Sequence, residues 1–241
     1  MYTGSNGSEF AAKLLRYLQE VDYRVAWTNQ QRNSIFRLRY DAYLREDTIK
    51  PNSSRMFRDE YDEFENCWIF GIYIKDELVS SIRFHVISPD CPKGPALDVF
   101  PDIVGPMVFD EGLTLIDPTR FVVEEQVASE YPEMPYMTLR VACMAYEFFD
   151  AEYVLATVRK EHMAFYRRVF NAEILSPPRP YPLLKKPIAM MRAHVRGVRE
   201  KMARRYPIFE SSLTERRMIF ENREPAFLQE NIPNVVSKIA S

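Results

Sequence analysis

Residues 114–123 read TLIDPTRFVV. This is the most β-prone run near the middle of the chain, and it carries an acid and an arginine where a plain core strand has neither. Side chains of a regular strand alternate faces, so Asp117 and Arg120, three positions apart, should point to opposite sides. Pro118 between them has no N–H to give to a ladder, which favours an edge or a bulge. A bulge adds one residue and brings Asp117 and Arg120 to the same side. The stretch is read as a bulged strand that directs a carboxylate and a guanidinium into one cleft. The competing reading is a salt bridge that pins a strand end.

Before this strand the pattern predicts a helix over residues 8–22, a short strand over 23–27 and a second helix over 29–45, capped by Asn29. Arg39 lies in the second helix, where a solvated charge is the default. Residues 46–66 are polar and without period, and they hold Asp59 and Asp62. A loop of that length is usually functional or mobile. Residues 67–75 and 77–87 predict a β-hairpin. Leu78, Ser80, Ile82, Phe84 and Val86 should share one face, and Val79, Ser81, Arg83, His85 and Ile87 the other. A charge inside a sheet needs a partner; Asp59, Asp62 and Asp117 are the candidates for Arg83. Residues 88–112 are proline-rich and read as irregular, pinned to the core by Ala96, Leu97 and Phe100.

After the central strand, helices are expected over 135–150 and 160–170, and strands over 153–158, 171–175 and 187–195. A basic helix follows over 196–205, ended by Pro207. Strands interleaved with helices after a hairpin give an α/β fold, a single-domain mixed central sheet flanked by helices. Residues 1–10 read as a flexible leader, with Gly7 to Phe10 resembling a cloning scar. The folded domain is expected over 11–206, with a helical C-terminal extension over 207–241.

The composition, 46% hydrophobic and 27% charged in 241 residues, is that of a soluble globular protein. No apolar run approaches the roughly 18 residues of a membrane helix, and no signal-peptide pattern is seen. Cys67, Cys91 and Cys143 form no C-x-x-C pair, which fits a reducing cytoplasm. The three histidines show no zinc spacing, so no metal and no bound cofactor is expected. A P-loop, a G-x-S-x-G and a G-x-G-x-x-G are all absent. Charge is uneven: residues 159–205 carry thirteen Lys and Arg against three acids, so this stretch is at +10 while the whole chain is at -2. Such a basic face suggests an acidic partner. No nucleic-acid motif accompanies it, so an acidic protein is the expected partner and no nucleic acid. A solvated surface is the alternative.

Taken together, LRYDAY (residues 38–43), DEYD (59–62), SIRF (81–84), ALDVFP (96–101) and DPTRF (117–121) resemble, in order and spacing, the acyl-homoserine-lactone synthases that make quorum-sensing autoinducers. HMAFYRRVFNAE (162–173) resembles the last shared helix and strand of the Gcn5-related N-acetyltransferase fold. The combination is most similar to the N-acyl amino acid synthases, over about residues 29–195. The resemblance implies that Arg39 and Tyr43 are the family's helix arginine and aromatic, and that Asp59 and Asp62 are its paired loop acids. It makes Arg83 the strand arginine, Phe100 the loop phenylalanine and Arg120 the second strand arginine, with Asp117 where the synthases carry glutamate. The tryptophan that the lactone synthases carry soon after Tyr43 is absent, with Ile49 near its place.

The reaction so implied moves an acyl group from a thioester to the α-amine of an amino acid. An attacking amine must lose a proton, and Asp117, then Asp59, are the expected bases. Arg83 and Arg120 are the expected partners of the acceptor carboxylate, because a guanidinium binds it in two places. Tyr166, by fold analogy, protonates the leaving thiolate. Residues 124–136 have no glycine and three acids before Pro132, a poor cradle for the pyrophosphate of coenzyme A. The donor is therefore expected to be the acyl-phosphopantetheine of an acyl carrier protein, docking on Arg159, Lys160, Arg167, Arg168, Arg196 and Arg199. Three readings stand: an N-acyl amino acid synthase, an S-adenosylmethionine-consuming lactone synthase, and a non-catalytic module that binds acyl chains or RNA.

Overall fold

Helix α1 spans Ser5–Leu18, with Leu14 wholly buried, in a computed structural model that describes residues 5–221. Phe10 packs edge-on against Tyr136 and Tyr206. The expected leader is thus corrected over its second half; residues 1–4 lie outside the described residues. Strand β1 follows at Val21–Val25. Helix α2 is Asn29–Arg45, and its cap is Thr28 rather than Asn29. The Gln31 N–H donates to the Thr28 hydroxyl at 3.2 Å, and the Thr28 N–H donates to the Gln31 side chain at 3.0 Å. This reciprocal box satisfies two helix-end donors, which Asn29 with Arg32 three residues on has no means to do.

Strands β2 (Cys67–Ile74) and β3 (Glu77–Ile87) form the expected hairpin. Lys75 and Asp76 turn at φ 51° and 66°, the left-handed pair whose twist matches that of the strands. The expected alternation slips at the start of β3. Ile72 pairs with Ser80 and Tyr73 with Leu78, so Val79 bulges. Val79 then packs with Ile82 and Phe84, and Leu78 packs with Ile35, Phe36 and Ile69. A one-residue slip exchanges the faces of every side chain beyond it.

Residues 88–112, expected to be irregular, contain helices α3 (Pro95–Val99) and α4 (Pro101–Gly105) and a π-helical turn, Pro106–Asp110. Each of the three opens on a proline. A helix start leaves the first N–H unused, and the ring presets φ, so proline begins a helix as readily as it breaks one. Ala96 and Phe100 are wholly buried and pin the stretch as expected.

Strand β4 (Leu115–Val123), helices α5 (Glu125–Glu130) and α6 (Met134–Phe148), and strand β5 (Tyr153–Val158) come next. Helix α7 (Met163–Phe170) ends on Asn171 at φ 52°, a left-handed cap. Strand β6 (Glu173–Arg179) is an edge strand, which tolerates Pro177 and Pro178. Strand β7 (Ile188–Ala193), helix α8 (Val195–Arg205) and helix α9 (Leu213–Phe220) complete the described chain. The C-terminal extension is partly core: Ile208, Phe209 and Phe220 join the main apolar cluster. Arg140 donates to the Ile208 carbonyl at 2.6 Å and pairs with Glu215 at 2.8 Å. The rest of that extension, residues 222–241, lies outside the described residues.

Among the described residues seven strands form one mixed sheet in the order β1-β2-β3-β4-β5-β7-β6. On one face, α6, α1 and α9 cover a core that includes Trp68, Phe70, Phe84 and Phe220. On the other face, α2 crosses β2, β3 and β4. Neighbouring strands are antiparallel except β4 and β5, which run parallel and pair only at Leu115 with Tyr153 and Ile116 with Val154. Beyond Ile116 the two strands part, and this opening positions the site. Among the described residues no helix is long and apolar enough to cross a membrane.

Candidate active site

The sheet register shows why Arg120 and Asp117 share a side. Ser81 pairs with Val122, but Arg83 pairs with Thr119, so β4 holds one residue more than β3 across this step. The surplus is at Arg120, whose φ of 54° is left-handed. A non-glycine residue held there costs of order 1 kcal/mol or more, and such strain gathers at functional sites. The bulge falls two residues after Pro118, and it leaves Asp117 opposite His85 and Thr119 opposite Arg83.

On this side of the sheet lies a buried chain of charges. Arg39 donates to Asp62 at 2.8 Å, and Arg83 stands 3.0 Å from the same oxygen. Arg83 also pairs with Asp59 and donates to Thr119 Oγ1 at 3.0 Å. Arg120 Nε reaches Asp59 at 3.1 Å. The Asp59 N–H donates to Asp62 at 3.0 Å, which locks the two loop acids together. Arg39, expected as a solvated helix charge, is wholly buried. Three guanidiniums thus face two carboxylates, and among the described residues Arg39 Nε and Nη2 and Arg83 Nη2 have no acceptor. Burial alone would raise both carboxyl pKa values. Arg83 and Arg120 outweigh it at Asp59, and Arg39 and Arg83 at Asp62, holding both below the usual carboxylate range.

Asp117 differs from its neighbours. Its carboxyl is wholly buried and accepts from the Ala96 N–H at 3.1 Å. Its second oxygen has no partner among the described residues, and burial pushes its pKa up to about 7. Opposite it, His85 Nε2 meets the Tyr61 carbonyl at 2.9 Å, and burial pulls the imidazole down to about 3.

The opening between β4 and β5 holds a cavity of about 440 Å³. Its strand walls are residues 118–123 and 155–158; Tyr166 and Leu139 close it from the helices, and Tyr43 and Tyr181 from the other side. Arg120 bridges cluster and cavity: it lies 4.6 Å from the Phe57 ring, 5.7 Å from Tyr43 and 5.8 Å from Tyr181. Burial raises the pKa of Tyr166, so its phenol keeps its proton.

Of the residues singled out in the sequence, Arg120, Tyr43, Tyr166 and Arg159 line the cavity. Asp117, Asp59, Asp62, Arg39, Arg83 and Phe100 do not. This corrects two expectations. Asp117 and Asp59 are not placed to take a proton from a substrate in the cavity, one being sealed against α3 and the other occupied by two arginines. Arg83 is enclosed and already paired, so it is not placed to meet an acceptor carboxylate. Phe100 is a core residue, 5.0 Å from the Arg179 guanidinium.

The basic stretch is partly neutralised by neighbours. Arg159 pairs with Glu46 at 3.1 Å, Arg179 with Asp102 at 2.5 Å, and Arg196 with Asp150. Lys160, Arg167 and Arg168 are exposed. Arg199 lies in α8, its side chain outside the described residues. The cavity residues that the sequence reading missed are Tyr181, Lys186, Glu46 and His162. Tyr181 and Lys186 fall between predicted strands, where no periodicity marked them.

A mixed sheet parted between two parallel strands, with a cavity in the gap, defines an acyltransferase fold of the Gcn5-related N-acetyltransferase type. The family model of the N-acyl amino acid synthase FeeM matches residues 34–194, and the chain belongs to that family. The solved structure of FeeM, an N-acyl amino acid synthase from uncultured soil microbes, superposes with a TM-score of 0.62 at 13% identity, covering 75% of this chain and 93% of that one. The coenzyme A-dependent acyl-homoserine lactone synthase BjaI gives 0.56 at 14% identity, covering 80% and 91%. The synthase LasI gives 0.54 at 11%, covering 72% and 89%. A search of curated proteins found no match. The protein is an acyltransferase, and its acyl donor is a substrate rather than a resident cofactor.

Proposed function

We propose that the protein transfers a fatty acyl group from the phosphopantetheine thioester of an acyl carrier protein to the α-amine of an amino acid, releasing a linear N-acyl amino acid. The observation that carries this reading is the cavity between β4 and β5, with aliphatic walls at Leu139, Leu155 and Val158 and the Arg120 bulge on one side. Aliphatic walls suit an acyl chain. In the reaction the neutral amine attacks the thioester carbonyl, the carbon–nitrogen bond forms, and the carbon–sulfur bond breaks. The amine proton leaves to water, since the buried aspartates stand apart from the cavity. As the thiolate leaves it takes a proton from the Tyr166 phenol, and water returns one to the phenolate, so the proton lost by the amine balances the one gained by the thiol. The oxyanion that forms between these steps is favoured beside a cluster with one cation in excess.

The carrier-protein donor is supported by the acidic, glycine-free segment before α6 and by the exposed Lys160, Arg167 and Arg168. The linear product is supported at Ile49, which stands near the place of the lactone synthases' tryptophan and is buried with Tyr40 and Phe57. A cytoplasmic setting, where such carriers and amino acids meet, fits three free thiols. The test incubates purified protein with acylated carrier protein and either pooled amino acids or S-adenosylmethionine, with products read by mass spectrometry. An N-acyl amino acid that disappears in Arg120→Ala, with circular dichroism unchanged, supports the proposal. Release of methylthioadenosine with an acyl-lactone sinks it, and equal use of coenzyme A thioesters sinks the carrier assignment.

A further inference from the structure

With Arg83 enclosed and Arg120 occupied by Asp59, the acceptor carboxylate needs another cation. Three others line the cavity: Arg45, Arg159 and Lys186. Arg45 stands 3.8 Å from Glu125, and Arg159 is 3.1 Å from Glu46. Lys186 has no carboxylate within ion-pair distance among the described residues. It is half-buried, and its ammonium donates to the Glu46 carbonyl at 2.9 Å. An ammonium carries three donors, so two remain for the cavity.

The position of Lys186 is set by its loop. Residues 180–187 join β6 to β7 and are tied to the end of α2. The Lys185 N–H donates to the Thr48 carbonyl at 2.9 Å, and Lys185 Nζ pairs with Asp47 at 2.5 Å. These ties hold Lys186 beside the C-terminal end of α2. The surroundings are of mixed sign. The Glu46 carboxylate, about half exposed, also lines the cavity; its Oε2 accepts from Arg159 at 3.1 Å, which leaves Oε1 for a ligand. A phosphate placed here would meet that carboxylate and be repelled. A zwitterion would meet a cation for its carboxylate and an anion for its ammonium.

We propose that Lys186 and Glu46 form the acceptor subsite, Lys186 binding the α-carboxylate of a free amino acid and Glu46 its α-ammonium before deprotonation. This rests on the acyltransferase reading above, and it names the acceptor class as an α-amino acid with a free carboxylate. The test begins by finding the acceptor that the wild type prefers from a pool of protein amino acids, with a decanoyl thioester as donor. Steady-state rates are then measured for that amino acid and for its carboxylate-free amine, in the wild type, Lys186→Gln, Lys186→Arg and Glu46→Gln.

In Lys186→Gln the preference for the amino acid over its amine, as a ratio of kcat/KM, should fall roughly ten- to a hundredfold, the worth of one charged hydrogen bond. The loss should appear in KM rather than kcat, and Lys186→Arg should restore part of it. Glu46→Gln should raise KM for both acceptors. Repeating the series with the decanoyl thioester of N-acetylcysteamine, which has no phosphate, should give the same ratios. A preference unchanged in Lys186→Gln overturns the inference. A rise in donor KM seen only with phosphate-bearing thioesters also overturns it, assigning Lys186 to the donor. If the wild type acylates no amine, the acyltransferase assignment to amines fails and takes this subsite with it; if amines are acylated indifferently to Lys186, only the subsite fails.

Discussion

The Arg39–Asp62–Arg83–Asp59–Arg120 chain and the Lys186–Glu46–Arg159 group are both clusters of opposite charges on the same side of the protein, yet physics treats them differently. The first is sealed: its side chains are at most 4% exposed. Removing charges from water costs several kcal/mol each, and their mutual attraction offsets this only while every partner stays. Such a cluster is indispensable once built and adds little net stability. The second group is wet, with Arg159 at 19% and Glu46 at 50% exposure. Exposed pairs contribute at most about 1 kcal/mol to folding. Free energy that folding does not use there remains for a ligand.

The hardest strain on this contrast is Asp62→Ala. It leaves Arg39 and Arg83 without their shared carboxylate and should cost about 3–5 kcal/mol in urea unfolding. Glu46→Ala should cost under about 1 kcal/mol. Equal losses would erase the distinction between sealed and wet charges. Next in size is Tyr166→Phe, which removes the phenol proton and leaves the cavity wall in place. It should lower kcat about a hundredfold with the midpoint of unfolding unchanged; a loss of stability instead would make Tyr166 a packing residue.

Asp117 sharpens the sealed side through pH. Its folded pKa of about 7 lies above the ordinary value of 3.8, so the folded state binds the proton more tightly than the unfolded one. The contribution is fully present below the unfolded value and is lost as pH rises from there to about 7. Asp117→Asn keeps an acceptor for the Ala96 N–H and abolishes the titration. Relative to wild type, the variant should gain on the order of 2 kcal/mol between pH 5 and pH 8. A difference that does not change with pH would place the titration elsewhere. The smallest effect belongs to the exposed rim. Arg167→Glu with Arg168→Glu should raise the KM for acylated carrier protein about tenfold at low salt, and less at high salt. Indifference to salt would detach the carrier from this surface.

The parts of the molecule legible in the chain were those carried by local chemistry. The β2–β3 hairpin follows from two β-prone runs around Lys75 and Asp76, and α2 follows from its periodicity. The bulge follows from one proline between an acid and a base: Pro118 withholds a donor, and β4 gains its extra residue two positions on. The misreadings were local ambiguities. A proline-rich stretch can be coil or a series of helix starts, and only the buried Ala96 and Phe100 decide between them. A β-bulge at Val79 has no signature in composition.

What lies at the cavity was a tertiary matter. Reading the residues alone pointed Asp117 and Arg120 to one side of the sheet and required a partner for Arg83, whereas Arg39 was expected in solvent and joined the set only through the family resemblance. Which of them meet water was not encoded in their identities. Solvation depends on what covers a side chain: α3 seals Asp117 through the Ala96 N–H, and the loop at residues 59–62 closes over Arg83. Lys186 and Tyr181 reach the cavity only because the β6–β7 loop is tied to α2, more than 130 residues earlier in the chain. The sequence alone determined that a charge inside a strand, Arg83, must find a carboxylate. The tertiary structure decided which charges stay dry, because the cost of a charge is set by its distance from water and not by its neighbours in the chain.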